Sequence, residues 1–118
     1  MIAFTFPGQG SQRHAMGAPW QEHPSWELVD LHSGVADLHA RVLRTPGTPE
    51  ESFSDDPLRM MRAARFASSL GFTVAPAVVE AMTAMCGRLA IVSAERVREE
   101  LVKLVLGAHP RAGLALLV

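Results

Sequence analysis

A chain of 118 residues has room for one compact domain and too little for most two-domain enzymes. Hydrophobic residues make up 48% of it and the formal net charge is −1, which excludes a disordered chain and any global electrostatic pull toward nucleic acid. Cys86 is the only cysteine, so neither an intramolecular disulfide nor a cysteine-rich metal site can form. With no signal-peptide pattern and no apolar run of about 18 residues, the expectation is a cytoplasmic chain without a membrane span.

Met1 to Phe6 reads as a short strand, with Ile2, Phe4 and Phe6 alternating with Ala3 and Thr5 until Pro7 and Gly8 end it. From Pro24 the pattern turns helical: Leu28, Leu31, Val35, Leu38 and Val42 recur at spacings of three and four. That stripe crosses Gly34, which costs about 1 kcal/mol against alanine, so the segment is either one long helix or two broken at Ser33-Gly34. Thr45 to Ser54 is rich in proline and glycine and reads as a connection.

A helix start follows. Ser54 or Asp55 can cap it, Asp55 and Asp56 sit near its positive end, and Pro57 suits the first turn. It should run to about Leu70 and stop at Gly71. Pro76 opens a helix ending near Gly87, Ser93 caps another through Leu106, and Pro110 starts a last run to Val118. The expected fold is mainly α: a small helical bundle with one short N-terminal strand or extended arm. A lone strand leaves its backbone polar groups unsatisfied, so it needs a partner; Val42 to Arg44 and a second copy of the chain are the candidates.

The loop Pro7-Gly-Gln-Gly-Ser-Gln12 could cradle a phosphate or an oxyanion, because glycines let backbone N–H groups approach a ligand. It is neither a dinucleotide fingerprint, since Arg13 stands where a third glycine belongs, nor a P-loop. His14, His23, His32, His39 and His109 form no metal pattern and read as surface or packing residues, although His32 and His39 can share a helical face. Trp20 and Trp26 suit the joint between arm and bundle. Met60, Met61, Met82 and Met85 suit the core.

As a whole string, MIAFTFPGQGSQ resembles the N-terminus of malonyl-CoA:acyl carrier protein transacylases and related acyltransferase domains, over about a quarter of the chain. That resemblance implies that Gln9 descends from an oxyanion-hole residue. The family's serine lies in a Gly-His-Ser-x-Gly elbow, which this chain lacks, so Gln9 is expected to be vestigial and the loop structural.

The stretch from Glu27 to Phe72, and again VSAERVREELVKLVLGAHPRAGLALLV to the C-terminus, is similar to the neck of bacterial tRNA nucleotidyltransferases and poly(A) polymerases, the CCA-adding family. By that resemblance, Asp55-Asp56-Pro-Leu-Arg59 matches a motif whose Asp and Arg read the base of the incoming ATP or CTP. Asp56 and Arg59, three apart, would lie on one helical face as acceptor and planar donor fork. Arg62 and Arg65 would extend the row toward phosphates, and Glu95-Arg96 with Glu99 or Glu100 would brace the helix of readers. Ser33-Gly34 occupies the family's flexible Gly-Gly. Independently of any family, these acidic residues are good helix-start groups, and the arginines can simply pair with Glu95, Glu99 and Glu100.

Nucleotidyl transfer needs carboxylates that hold two metals, and no Asp-x-Asp occurs in the chain. The two resemblances meet near Glu27-Leu-Val-Asp30. The expectation is a single chimeric domain, 1–26 acyltransferase-like and 27–118 nucleotidyltransferase-neck-like, artificial or recombined, with no catalytic residues, metal or cofactor. Three functions compete: a non-catalytic folded chimera, a module that binds ATP, CTP or an RNA end weakly, and an enzyme completed by a partner that supplies the missing head. A homodimer exchanging N-terminal arms is expected, because each borrowed segment has lost the neighbours that covered its apolar face.

Overall fold

The computed structural model describes residues 29–118. The readings of Met1–Phe6, Gln9, Trp20, Trp26 and the stretch from Pro24 to Leu28 lie outside the described residues.

The first helix, α1, spans Gly34–Ala40. The Asp30 carboxylate starts it, accepting from the backbone N–H groups of Gly34 at 2.7 Å and Val35 at 2.9 Å. Those two hydrogen bonds, that from Val35 first, hold the Asp30 carboxyl below its ordinary pKa. The expected helical stripe does not continue through this region. Ser33 and Arg41 both adopt left-handed backbone, each with φ 56°, so helix is confined between them. Leu31, Val35 and Leu38 are exposed, and Val42 lies in a strand instead.

That strand, β1 (Val42–Leu43), pairs in parallel with β2 (Thr73–Val74), in the register Val42 with Thr73 and Leu43 with Val74. The Thr73 N–H donates to the Arg41 carbonyl and the Ala75 N–H to the Leu43 carbonyl. The candidate edge at Val42 to Arg44 is thus a strand, but its partner among the described residues is Thr73–Val74, a segment too short to show alternation, and the fold remains mainly α.

The connection expected over Thr45–Ser54 contains a helix, α2 (Pro49–Asp55). Thr48 caps it, its hydroxyl accepting from the Glu51 N–H at 3.3 Å, with Pro49 in the first turn and Glu50 and Glu51 at the positive end. The chain then breaks at Asp56, which is extended (φ −145°, ψ 100°), as a residue before proline prefers. Asp56, not Ser54 or Asp55, serves the next helix: its Oδ1 accepts from the Leu58 N–H at 3.2 Å.

α3 (Leu58–Leu70) is the central element. It ends at Gly71, whose φ of 65° is the left-handed conformation expected of a glycine stop. One broad face of α3 is buried through Met60, Met61, Ala64, Ala67 and Ser68. Arg59, Arg62, Ala63, Phe66 and Leu70 form the opposite stripe at spacings of three and four. α4 (Pro76–Met85) follows β2, and a tighter 3₁₀ segment continues it from Cys86 to Ile91. α5 spans Ala94–Val105; Ser93 occupies its N-cap position without a side-chain hydrogen bond. α6 is shorter than expected, Pro110–Leu114 rather than reaching Val118.

Two packed regions flank α3. On one side Phe53, Met60, Ala67, Val74, Ala75, Val78, Ala81 and Met82 form a dry core between α2, α3, β2 and α4. Met60, Met61 and Met82 are buried and Met85 half-buried, as core methionines should be. On the other side α3 meets α5 and α6 closely. The Ser68 hydroxyl donates to the Leu104 carbonyl, and the His109 N–H donates to the Ser68 carbonyl at 2.8 Å. Gly113 permits that approach: a Cβ there would stand 2.7 Å from the Ala64 carbonyl oxygen.

Candidate nucleotide-binding groove

The residues singled out as base readers sit where α2 gives way to α3. Asp56 does not share a helical face with Arg59, because it lies in the extended break before α3 begins. The two are nonetheless brought together by different anchors. Arg59 reaches back over α2, its Nη1 donating to the Ser52 carbonyl at 3.2 Å and to the Ser52 hydroxyl at 3.1 Å. Asp55 adds a weak attraction at 3.8 Å from Nη1. No partner among the described residues engages the Arg59 Nε or Nη2, and the side chain is 43% exposed. Asp56 spends one bond on the Leu58 N–H and receives another from Arg96 Nη2 at 3.1 Å.

Arg96 thus braces Asp56 from α5, forty residues along the chain. Glu100, one turn further, braces α3 itself. Its carboxylate is nearly buried, accepts from Arg65 Nε and lies 3.6 Å from Arg62 Nε. Of the acidic residues expected to brace, Glu100 makes these contacts; none is formed by Glu95 or Glu99 among the described residues. Burying a carboxylate is costly unless charge and hydrogen bonds compensate, and two guanidinium groups from α3 supply both. Arg65 is further engaged: its guanidinium carbon stands 4.0 Å from the centroid of the Phe66 ring.

Arg59 and Arg62 open onto a groove of about 440 Å³, floored by Phe53, Ala63 and Val78 and walled by Leu43, Arg44, Thr45 and Pro46. Phe66 closes its far end and also lines a neighbouring hollow beside α1. Arg44, on the wall, is held by Asp37, whose carboxylate accepts from Nε at 2.9 Å and Nη2 at 3.3 Å. That hydrogen bonding and the Asp37 charge raise the guanidinium pKa further above its ordinary value. Reasoning from sequence missed Arg44, Ser52 and Phe66. Phe66 had a signal, being four residues from Arg62 and seven from Arg59 on one helical stripe. Arg44 had none, because its place depends on the β1–β2 pairing.

Among the described residues no group of three metal-ligating side chains converges, and no helix is long and apolar enough to cross a membrane. His32, His39 and His109 are exposed; His32 precedes α1 and so does not share a helical face with His39.

Residues 71–118 match a family described as "Probable RNA and SrmB- binding site of polymerase A". The chain is 48% identical over 88 residues to a CCA-adding enzyme of Lactiplantibacillus plantarum, an alignment covering 75% of this chain and 22% of that protein. It is 47% identical over 91 residues to a CC-adding tRNA nucleotidyltransferase of Halalkalibacterium halodurans, covering 77% of this chain and 24% of the other. Among solved structures, the Bacillus stearothermophilus CCA-adding enzyme in complex with CTP superposes with a TM-score of 0.73 at 40% identity, over 75% of this chain and 22% of that one. The chain spans about a fifth to a quarter of the length of the curated relatives it matches. Its C-terminal part, from Gly71 onward, thus matches the RNA-binding neck region of CCA-adding enzymes, on a shared helical fold.

Proposed function

We propose that this chain is a non-catalytic nucleotide-binding unit, which holds the base of CTP or ATP against Asp56 and Arg59 and turns the phosphates toward Arg62. The observation that carries this reading is the division of labour at the two readers. Each is fixed by one set of atoms, Arg59 through Nη1 and Asp56 through Leu58 and Arg96, and keeps hydrogen-bonding capacity on its remaining atoms. A carboxylate beside a guanidinium complements a base edge with an exocyclic amine next to a ring nitrogen acceptor. Cytosine and adenine present that edge. Uracil and guanine present carbonyls and ring N–H groups there and would set oxygen against the Asp56 carboxylate. Arg65, tied to Glu100 and laid over Phe66, supports that ring and does not itself line the groove.

The likeness to a CCA-adding enzyme in complex with CTP supports the reading. Calorimetric titration of the purified chain should give weak binding of CTP and ATP, reduced at least tenfold in Arg59→Ala, with UTP and GTP weaker than either. No heat at millimolar CTP, or equal affinity in Arg59→Ala, would remove it.

In the same reading the FTFPGQGSQ opening is an acyltransferase-derived appendage joined near Glu27–Asp30, and Gln9 has no catalytic duty. Acyl transfer from malonyl-CoA, or CCA addition to tRNA by the purified chain, would overturn that part. A second copy of the chain is the expected cover for Leu101 and Val105 on α5 and Leu106 just beyond it, all exposed. A monomeric mass in light scattering would count against it.

A further inference from the structure

The ladder of β1 and β2 has two strands of two residues each, too little sheet to be stable alone, and one side of it is unfinished. β1 spends its Arg41 and Leu43 carbonyls on the Thr73 and Ala75 N–H groups. Alternation turns the N–H and C=O groups of Val42 and Arg44 to the opposite edge, where they meet no backbone partner among the described residues.

Beside that edge lies the hollow next to α1, about 360 Å³, with Leu38, Val42, Phe66, Leu70 and Phe72 in its walls. Leu38 is 61% exposed and Leu70 50%. Asp37 and Arg44, which also line it, pair with each other. An apolar trough beside an unpaired strand edge fits an extended, uncharged segment of alternating pattern. Such a segment hydrogen-bonds to the edge and sets one row of side chains into the trough.

The first 28 residues contain one such segment, and it is tethered at this place. Met1–Phe6 has no charged side chain and alternates Ile2, Phe4 and Phe6 with Ala3 and Thr5. The chain enters the described fold at the hollow: Asp30 binds the Gly34 N–H, and His32 and Gly34 are among the lining residues. At about 3.3 Å per residue, the stretch 7–28 extends several times the length of α1, so the segment can return to the edge in either direction. Tethering holds it there at an effective concentration on the order of millimolar, which a second copy in dilute solution does not match.

We propose that residues 2–6 add to the Val42–Arg44 edge of their own chain as a third strand, with Ile2, Phe4 and Phe6 covering the hollow. This rests on the reading of the opening as an appendage without catalytic duty, and gives that appendage a task.

Amide hydrogen exchange of the full chain, without nucleotide, reads the edge directly. The Val42 and Arg44 amides should be protected at least tenfold over their intrinsic rates, equally at one protein concentration and at a tenfold higher one. Phe4→Asp sets a charge against the apolar wall, and Leu38→Asp does the same from an exposed helix position; each should remove that protection. Ile91→Asp, exposed and outside the hollow, should leave it unchanged. Protection of the Ala64 and Ala67 amides in α3 shows that a variant is folded, and Leu38→Asp carries the test where Phe4→Asp is not.

Exchange of Val42 and Arg44 at intrinsic rates in the wild type, or protection kept in Phe4→Asp and Leu38→Asp, would overturn the third strand. Protection that grows with protein concentration would assign the edge to a second copy's segment and overturn docking within one chain. Acyl transfer from malonyl-CoA would overturn the appendage reading alone, and is read in a different assay.

Discussion

The two ends of α3 are built for opposite purposes. At its C-terminal end Ser68 hydrogen-bonds to Leu104, His109 hydrogen-bonds to Ser68, and Gly113 lets backbone meet backbone. At the N-terminal end Arg59 is held by Ser52, Asp56 by Leu58 and Arg96, and Arg62 by Glu100, and the two arginines line an open groove. A rigid end fixes the helix axis, and the open end can then present side chains at a constant height without spending them on packing. Between the two stands Glu100, which couples α5 to the exposed arginines through a nearly buried charge.

Variants at the closed end should cost most. Leu104→Ala removes a fully buried side chain and should lose about 3 kcal/mol of unfolding free energy by denaturant titration. Gly113→Ala should also destabilise, because the added methyl meets the Ala64 carbonyl; a melting temperature equal to wild type would show that the α3–α6 approach is looser than described.

At the coupling point, Glu100→Ala leaves two arginines facing an emptied site. It should cost about 3 kcal/mol, the lower end for a broken buried pair, because both arginines still reach solvent. Asp56→Ala loses a helix-start hydrogen bond and the Arg96 contact and should cost about 1 kcal/mol. Arg59→Ala at the open end should change stability by less than about 0.5 kcal/mol while weakening CTP at least tenfold. If Arg59→Ala unfolds the chain as readily as Leu104→Ala, the contrast between the two ends fails.

The smallest effect belongs to α1, away from both ends. The Asp30 carboxyl is lowered by the Val35 and Gly34 N–H groups, so its contribution is present above the ordinary aspartate pKa and is lost as pH falls through the lower native value. Protection of the Gly34 and Val35 amides, relative to their intrinsic exchange rates at each pH, should therefore fall on acidification below about pH 4, and Asp30→Asn should blunt that dependence.

Much of the helical framework was legible. The stop at Gly71, the openings at Pro76 and Pro110 and the helix after Ser93 are local features, decided by backbone conformation within a turn or two. Where reading failed, it failed for identifiable reasons. Weight given to proline and glycine across 45–54 hid the Thr48-Pro49-Glu50-Glu51 start of α2, which was written in ordinary capping chemistry. The stripe from Leu31 to Val42 has helical spacing, yet Ser33 and Arg41 turn left-handed and Val42 is claimed by Thr73 across the ladder.

The sequence by itself determined the mainly helical character, the methionine-rich core, and the identity of Asp56, Arg59, Arg62 and Arg65 as residues worth testing, because period, capping and motif are short-range properties of the chain. Tertiary structure alone decided what each of those groups does. Arg65 is engaged by Glu100 and Phe66, Asp56 is shared with Arg96, and Arg59 keeps an open edge. The physical reason is distance along the chain. Partners 35 and 40 residues away set the charge balance of the groove, and no local pattern encodes which of several acidic residues on α5 will face it.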